Sequence, residues 1–285
     1  MAVIDVDSIS YSYGDNQAVQ GLSFDVAEGE ILGFLGPNGA GKSTTIKILT
    51  GQLSPDSGSA RVLGVDVAKD DPRIQAQIGV CFEEKNLYDS MSAIENLRFY
   101  GSLFGIRDVD ADGLLSRVGL ADRGTERVSK YSKGMRQRLM MARTLVNTPK
   151  VLFLDEPTDG LDPVSSEAMR RLIRQEAERG AAVLLTTHDM HEADDLSDRV
   201  AFINEGSLYA LDTPENLKLE HGNRAVKVRL RDGEGVSEQS IPLDDPNAGE
   251  RVKAAISNSG LMTIHTEEST LENIFIEMTG RGLEG

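Results

Sequence analysis

Between an apolar run at residues 31–35 and a helix-forming stretch stands Gly36-Pro37-Asn38-Gly39-Ala40-Gly41-Lys42-Ser43-Thr44, a loop of the form G-x-x-x-x-G-K-[ST]. A strand, a glycine-rich loop and a helix in that order demand an α/β fold, with the loop at the C-terminal end of a buried strand. Gly36, Gly39 and Gly41 let the backbone turn tightly and bring successive N–H groups within reach of phosphate oxygens. The helix expected from about Lys42 points its positive dipole end at the same anion. In this pattern Lys42 reaches the β- and γ-phosphates, and the Ser43 hydroxyl is placed for Mg²⁺. The loop implies a bound nucleoside triphosphate. Its bland alternative, a glycine-rich turn with no ligand, loses ground to the strand–loop–helix context.

More than a hundred residues downstream, residues 151–156 read Val-Leu-Phe-Leu-Asp-Glu. Four apolar residues ending in two acids predict a buried parallel strand that delivers carboxylates at its C-terminal end, where ligands of such sheets sit. Asp155 there is a hard oxygen ligand for Mg²⁺, and Glu156 can take a proton from an attacking water. Between the two strings lies Tyr131-Ser132-Lys133-Gly134-Met135. Ser132 has the chemistry of a helix N-cap, and Met135, Leu139, Ala142, Leu145 and Val146 follow at helical spacing. Pro149 requires the helix to stop before it. A capped helix with Gly134 in its first turn offers a second anion site, which two copies arranged head to tail could exchange.

With these strings in place the chain resembles the nucleotide-binding subunit of an ABC transporter from about residue 3 to about residue 220. Residues 36–44 match the family's Walker A loop, residues 151–156 its Walker B strand, and residues 131–135 its signature sequence. Gly160-Leu161-Asp162 matches the D-loop, and His188, after an apolar strand, the switch histidine. Tyr13 lies at the right distance before the loop to stack on adenine. The Tyr-Ser-Lys-Gly-Met form, and Leu271-Glu272-Asn273-Ile274-Phe275 near the C-terminus, look most like the subfamily exporting drugs, sodium or polysaccharides.

The resemblance implies a P-loop NTPase (RecA-like) α/β core with an antiparallel β subdomain, a helical signature subdomain over about 87–149, and a small C-terminal α/β extension over 220–285, the cassette itself being 1–219. It implies ATP and Mg²⁺ as cofactors. ATP contacts would come from Tyr13, Gly36, Asn38, Gly39, Gly41, Lys42, Ser43 and Thr44, and from Ser132, Gly134 and Asp162 of a second copy. Glu156 and His188 would be catalytic, and Ser43, Glu83 and Asp155 would face the metal. The partners expected are a separate transmembrane permease subunit and a second copy of the chain, at the cytoplasmic face of the membrane.

Three positions, in two motifs, depart from the family pattern. Lys133 replaces the first signature glycine and Met135 the glutamine, while Ser132 and Gly134 are kept. In the string that aligns with the Q-loop, Glu83 stands where the family has glutamine. A carboxylate ligates Mg²⁺ more strongly than an amide but adds negative charge beside a triphosphate.

Thirty basic against forty-six acidic side chains leave a net charge of −16, which argues against nucleic acid and against attraction to anionic lipid. Docking on a protein is the expected route to a membrane, since no run approaches the 18 or so apolar residues of a spanning helix. One cysteine, Cys81, excludes a disulfide framework and suits a reducing compartment. His188 and His191 lack the further ligands a zinc site needs. Farther on, residues 224–231 alternate like a strand and residues 233–247 are polar and turn-rich. A helix near 250–258, a strand at 261–265 and a last helix at 270–278 complete the extension. A dimer contact, a regulatory flap and an inert tail all remain open for it. A soluble ABC-type ATPase and a slow nucleotide sensor are the alternatives to an exporter subunit.

Overall fold

The computed structural model describes residues 2–69, 71–82, 86–222, 225–232, 235–257, 260–267, 269–280 and 282. They fall into two units, Met1–Asp212 and Thr213–Gly282.

The first unit opens with a hairpin of β1 (Ala2–Tyr13) and β2 (Asn16–Ala27). β2 ends at Ala27. Gly29, at φ +74°, turns the chain out of β2, and β3 (Ile31–Leu35) begins a different sheet. β4 (Ser57–Val62) and β5 (Val65–Asp66) extend the first sheet, which is antiparallel in the order β2-β1-β4-β5. Then follow β6 (Ile78–Cys81), β7 (Val151–Asp155), β8 (Ala182–Thr187), β9 (Arg199–Asn204) and β10 (Ser207–Asp212). With β3 they form a sheet ordered β10-β9-β3-β8-β7-β6, parallel except for β10.

The apolar strands of this sheet are buried on both faces, and alternate side chains join two different cores. Leu152, Leu154, Val183 and Leu185 pack with the helices, whereas Val151, Phe153, Leu184 and Phe34 pack with the antiparallel sheet. That division explains why the strands read as continuous apolar runs rather than alternating ones.

Helices α1 (Lys42–Leu49) and α2 (Pro72–Gln75) lie between the early strands. α3 (Ala93–Leu103), α4 (Ala111–Arg117) and α5 (Lys133–Thr144) form the segment between β6 and β7. Ser92 and Glu95 close a capping box on α3, at 3.2 and 2.7 Å, a device worth about 1 kcal/mol. Ser132 caps α5 by accepting from the Met135 N–H. That helix ends at Thr144, and Thr148 turns to φ +49° just before Pro149. α6 (Pro163–Glu178) starts on an Asp162 cap with Pro163 first, and α7 (Met190–Leu196) follows β8.

The second unit holds α8 (Pro214–His221), β11 (Ala225–Asp232), β12 (Gly235–Pro242), α9 (Ala248–Ile256), β13 (Leu261–Glu267) and α10 (Leu271–Thr279). Its antiparallel sheet runs β12-β11-β13 over a small core of Val226, Val228 and Ile241 with Ala248 and Ala255. β12 corrects the reading of 233–247 as polar turns. All eight of its residues pair with β11, yet only Ile241 is buried. Backbone pairing holds this edge strand, so no apolar alternation announces it. The unit begins at α8, which packs with α10, a few residues before the expected division at 219. Among the described residues no helix is long and apolar enough to cross a membrane.

Candidate nucleotide site

The loop between β3 and α1 bounds a cavity of about 280 Å³, lined by Tyr13, residues 37–44, Asp155 and Glu156 among others. Tyr13 is half exposed and meets Tyr11 edge to face at 4.9 Å. The loop's glycines have separate reasons to be glycine. A Cβ on Gly36 would lie 2.1 Å from the Ile203 carbonyl, and one on Gly41, at φ +101°, 2.4 Å from that of Ala18. Gly39, at φ +83°, has nothing within 4 Å of its missing Cβ, so the space beside it stays open to a ligand. Lys42 is buried, and its ammonium donates to the carbonyls of Gly36 and Pro37 while lying 3.8 Å from Glu156 Oε1.

Parallel pairing of β7 with β8 brings the acids to this cradle. Asp155 is buried and accepts the Thr186 hydroxyl. Glu156 follows with its backbone at φ +49°, a left-handed conformation costing about 1–3 kcal/mol in a residue with a side chain. Its N–H is held by the Thr186 carbonyl and hydroxyl, both at 3.2 Å. Its Oε2 lies 3.0 Å from His188 Nδ1, at the end of the neighbouring strand. Burial pushes the Glu156 carboxyl above the ordinary glutamate range, with Asp155 adding to this and His188 and Lys42 opposing it. A general base with a raised pKa loses activity at a higher pH than an ordinary carboxylate. The acid limb of kcat/KM for ATP should therefore lie above about pH 4.3 and vanish in Glu156→Gln. Steady-state rates across the acid range measure it, and a limb at the ordinary value would assign it to another group.

A second set of expected residues stands apart from this cavity: Ser132, Gly134 and Asp162 are not among its lining residues. Ser132 caps α5, and Asp162 spends its carboxylate on the first turn of α6, accepting from the N–H groups of Val164 and Ser165 and from the Ser165 hydroxyl. Those bonds hold the Asp162 carboxyl below its usual range. Glu83 lies outside the described residues; β6 ends at Cys81, paired with Leu154, one residue before Asp155.

The ABC transporter family model matches residues 19–159. A fluoroquinolones export ATP-binding protein of Mycobacterium tuberculosis is 44% identical across 99% of this chain and 94% of its own length. The chain belongs to the ABC transporter family. The daunorubicin/doxorubicin resistance ATP-binding protein DrrA of Streptomyces peucetius is 35% identical, over 97% of this chain and 92% of that one. Among solved structures, an ATP-binding subunit of an ABC transporter superposes with a TM-score of 0.70 at 28% identity, covering 76% of this chain and 92% of the other. The α/β ATPase fold is therefore shared, and ATP is the nucleotide of the site.

Within this ABC cassette the signature departure has a local counterpart. Lys133 pairs with Asp159 at 2.8 Å, and its stem lies where a Cβ on Gly160 would be, so Gly160, at φ +68°, has to be glycine. A cation in the first turn opposes the helix dipole, and Asp159 offsets it. Both partners are exposed, which limits the pair to about 0–1 kcal/mol. Sequence reading passed over two residues that set the site. Thr186 holds both carboxylate-bearing residues, and buried Gln137 donates to the Pro157 carbonyl at 3.1 Å. A threonine pair closing the fully buried strand β8 was the available signal for the first; nothing local marked the second.

Proposed function

We propose that this chain is the ATP-hydrolysing subunit of an exporter, working as two copies on a separate membrane permease at the cytoplasmic face. The observation that carries the reading is the separation of two half-sites on one chain. The phosphate cradle with Glu156 and His188 forms one, and the capped start of α5 beside residues 159–162 the other. Two copies placed head to tail would close each ATP between one cradle and the other's Ser132 and Gly134. Asp162 would contribute by fixing the loop that enters α6.

In hydrolysis a water attacks the γ-phosphorus and its proton passes to Glu156. The bond to the β–γ bridging oxygen breaks, and ADP and phosphate leave. His188, already against Oε2, keeps the carboxylate aimed at that water. Lys42 supplies fixed positive charge to the β- and γ-phosphates, where it is already buried and needs no reorganisation. Ser43 and Asp155 supply oxygens of the kind Mg²⁺ takes. Among the described residues no group of three or more His, Cys, Asp or Glu could hold a metal by itself. Two protein oxygens suit an ion completed by substrate phosphates and water. When bound, Mg²⁺ would neutralise charge on the β- and γ-oxygens, and Glu83 is proposed to face it.

An exposed apolar pair supports the membrane partner. Tyr88 and Phe99 meet edge to face at 4.9 Å, with half or more of Tyr88 and Leu103 in solvent. They follow the Q-loop region and offer an apolar seat for the permease's cytoplasmic helices. The cargo to try first is a drug of the kind the two relatives are named for, a fluoroquinolone or daunorubicin. Co-expression with a membrane protein encoded by an adjacent gene should yield a detergent-stable complex. Inside-out vesicles bearing that complex should accumulate a fluoroquinolone on ATP addition. A chain that purifies without the membrane protein, with efflux unchanged by its removal, would overturn the reading.

A further inference from the structure

We infer that Glu192 is a positioning residue for ATP hydrolysis, a strut that holds the Glu156 segment and the His188 segment in register. This rests on the assignment of Glu156 and His188 as the catalytic pair.

The reason begins with the backbone of Glu156, whose left-handed conformation must be imposed by its surroundings. On the upstream side Thr186 imposes it through two bonds to the Glu156 N–H. Downstream the chain turns at once into Pro157 and Thr158, and two side chains from elsewhere grip it. Gln137 of α5 takes the Pro157 carbonyl. Glu192 of α7 accepts the Thr158 hydroxyl at 2.8 Å.

Glu192 is placed where it can hold more than the turn. It sits four residues after His188, in the first turn of α7, and its own N–H is capped by Asp189. It therefore joins the segment just after Glu156 to the segment just after His188. Those are the two segments whose side chains meet at 3.0 Å in the site. The grip is built for rigidity, since Glu192 is 1% exposed and the bond lies away from screening water.

A carboxyl in that position is expensive unless it does something there. Oε2 is buried with no hydrogen-bond partner among the described residues. Burial raises the Glu192 pKa above the usual carboxylate range; the Thr187 and Thr158 hydroxyls pull it down, and the charges of Asp189 and Glu156 push it up. Leucine or methionine would fill such space at lower cost in a side chain whose role was packing alone. The bond to Thr158 needs only an acceptor oxygen, which an amide also provides.

The test is a double-mutant cycle on the full chain, reading kcat and KM for ATP separately. Glu192→Ala and Thr158→Val should each lower kcat about tenfold while KM changes less than about twofold, because the cradle is untouched. The double variant should be no slower than the slower single one. Glu192→Gln should keep kcat within about twofold of the parent. If Glu192→Ala fails to fold, Thr158→Val and Glu192→Gln alone decide, since both are near-isosteric. Losses that multiply in the double variant would overturn the strut. So would an unchanged kcat in Thr158→Val, or a Glu192→Gln as slow as the alanine variant. Glu156→Gln run in parallel separates the two claims: hydrolysis surviving that change would remove the catalytic pair itself, whereas its loss beside an unaffected Glu192→Ala removes only the strut.

Discussion

Glu156→Gln should bind ATP as the parent does and hydrolyse it about 10²–10⁴-fold more slowly, the usual contribution of a positioned base. That range corresponds to about 3–5 kcal/mol of barrier. The amide keeps the shape of the carboxylate and a contact to His188, so the cradle is undisturbed. It cannot accept the water's proton. Folding should tolerate the change or gain from it, because a largely buried carboxyl whose pKa is raised by desolvation is replaced by a neutral group. Single-turnover rates measure the chemistry, and size exclusion measures assembly. With ATP and Mg²⁺ the stalled variant should elute as a dimer, and without them as a monomer. A variant that remains monomeric at saturating ATP would count against the shared site.

Lys42→Ala should lose ATP affinity by about a hundredfold or more. The ammonium makes charge-assisted contacts worth about 1.5–3 kcal/mol each to phosphate oxygens, and several are lost together. The same substitution removes the positive charge 3.8 Å from Glu156, so the Glu156 pKa should rise further. Residual hydrolysis would then show its acid limb at a still higher pH. Equilibrium binding of a fluorescent ATP analogue checks the affinity, and a thermal melt confirms that the fold survives. Unchanged affinity in a folded variant would remove Lys42 from the phosphate site.

These two residues were legible from sequence for a physical reason. Glycine spacing, an apolar run and a terminal acid pair are local signals, and they fixed β3, α1 and β7 as they stand in the structure. The cap at Ser132 was legible for the same reason, since a cap is decided within four residues. What escaped is long-range. Thr186, Gln137 and Glu192 act on residues 19 to 34 positions away through hydrogen bonds that no window of sequence contains. β12 escaped because its stability comes from pairing with β11 rather than from burial. The location of Ser132 and Asp162 outside the cavity was foreseen only as an arrangement of two copies, and that arrangement awaits the size-exclusion experiment.

The central strands are apolar along their length and turn polar only at their C-terminal ends, at Asp155 in β7 and at Thr186 and Thr187 in β8. The protein thereby keeps two separate dials. Changes early in β7 or β8 reach one core or the other, Leu152 and Val183 the helical one and Val151 and Ala182 the one under the antiparallel sheet, and set how hot the protein can run before it melts. Changes at the last one or two residues act instead on Asp155 and on the Thr186 hydroxyl that it accepts and that also holds the Glu156 N–H. A lineage facing a new climate can adjust the first without surrendering the second.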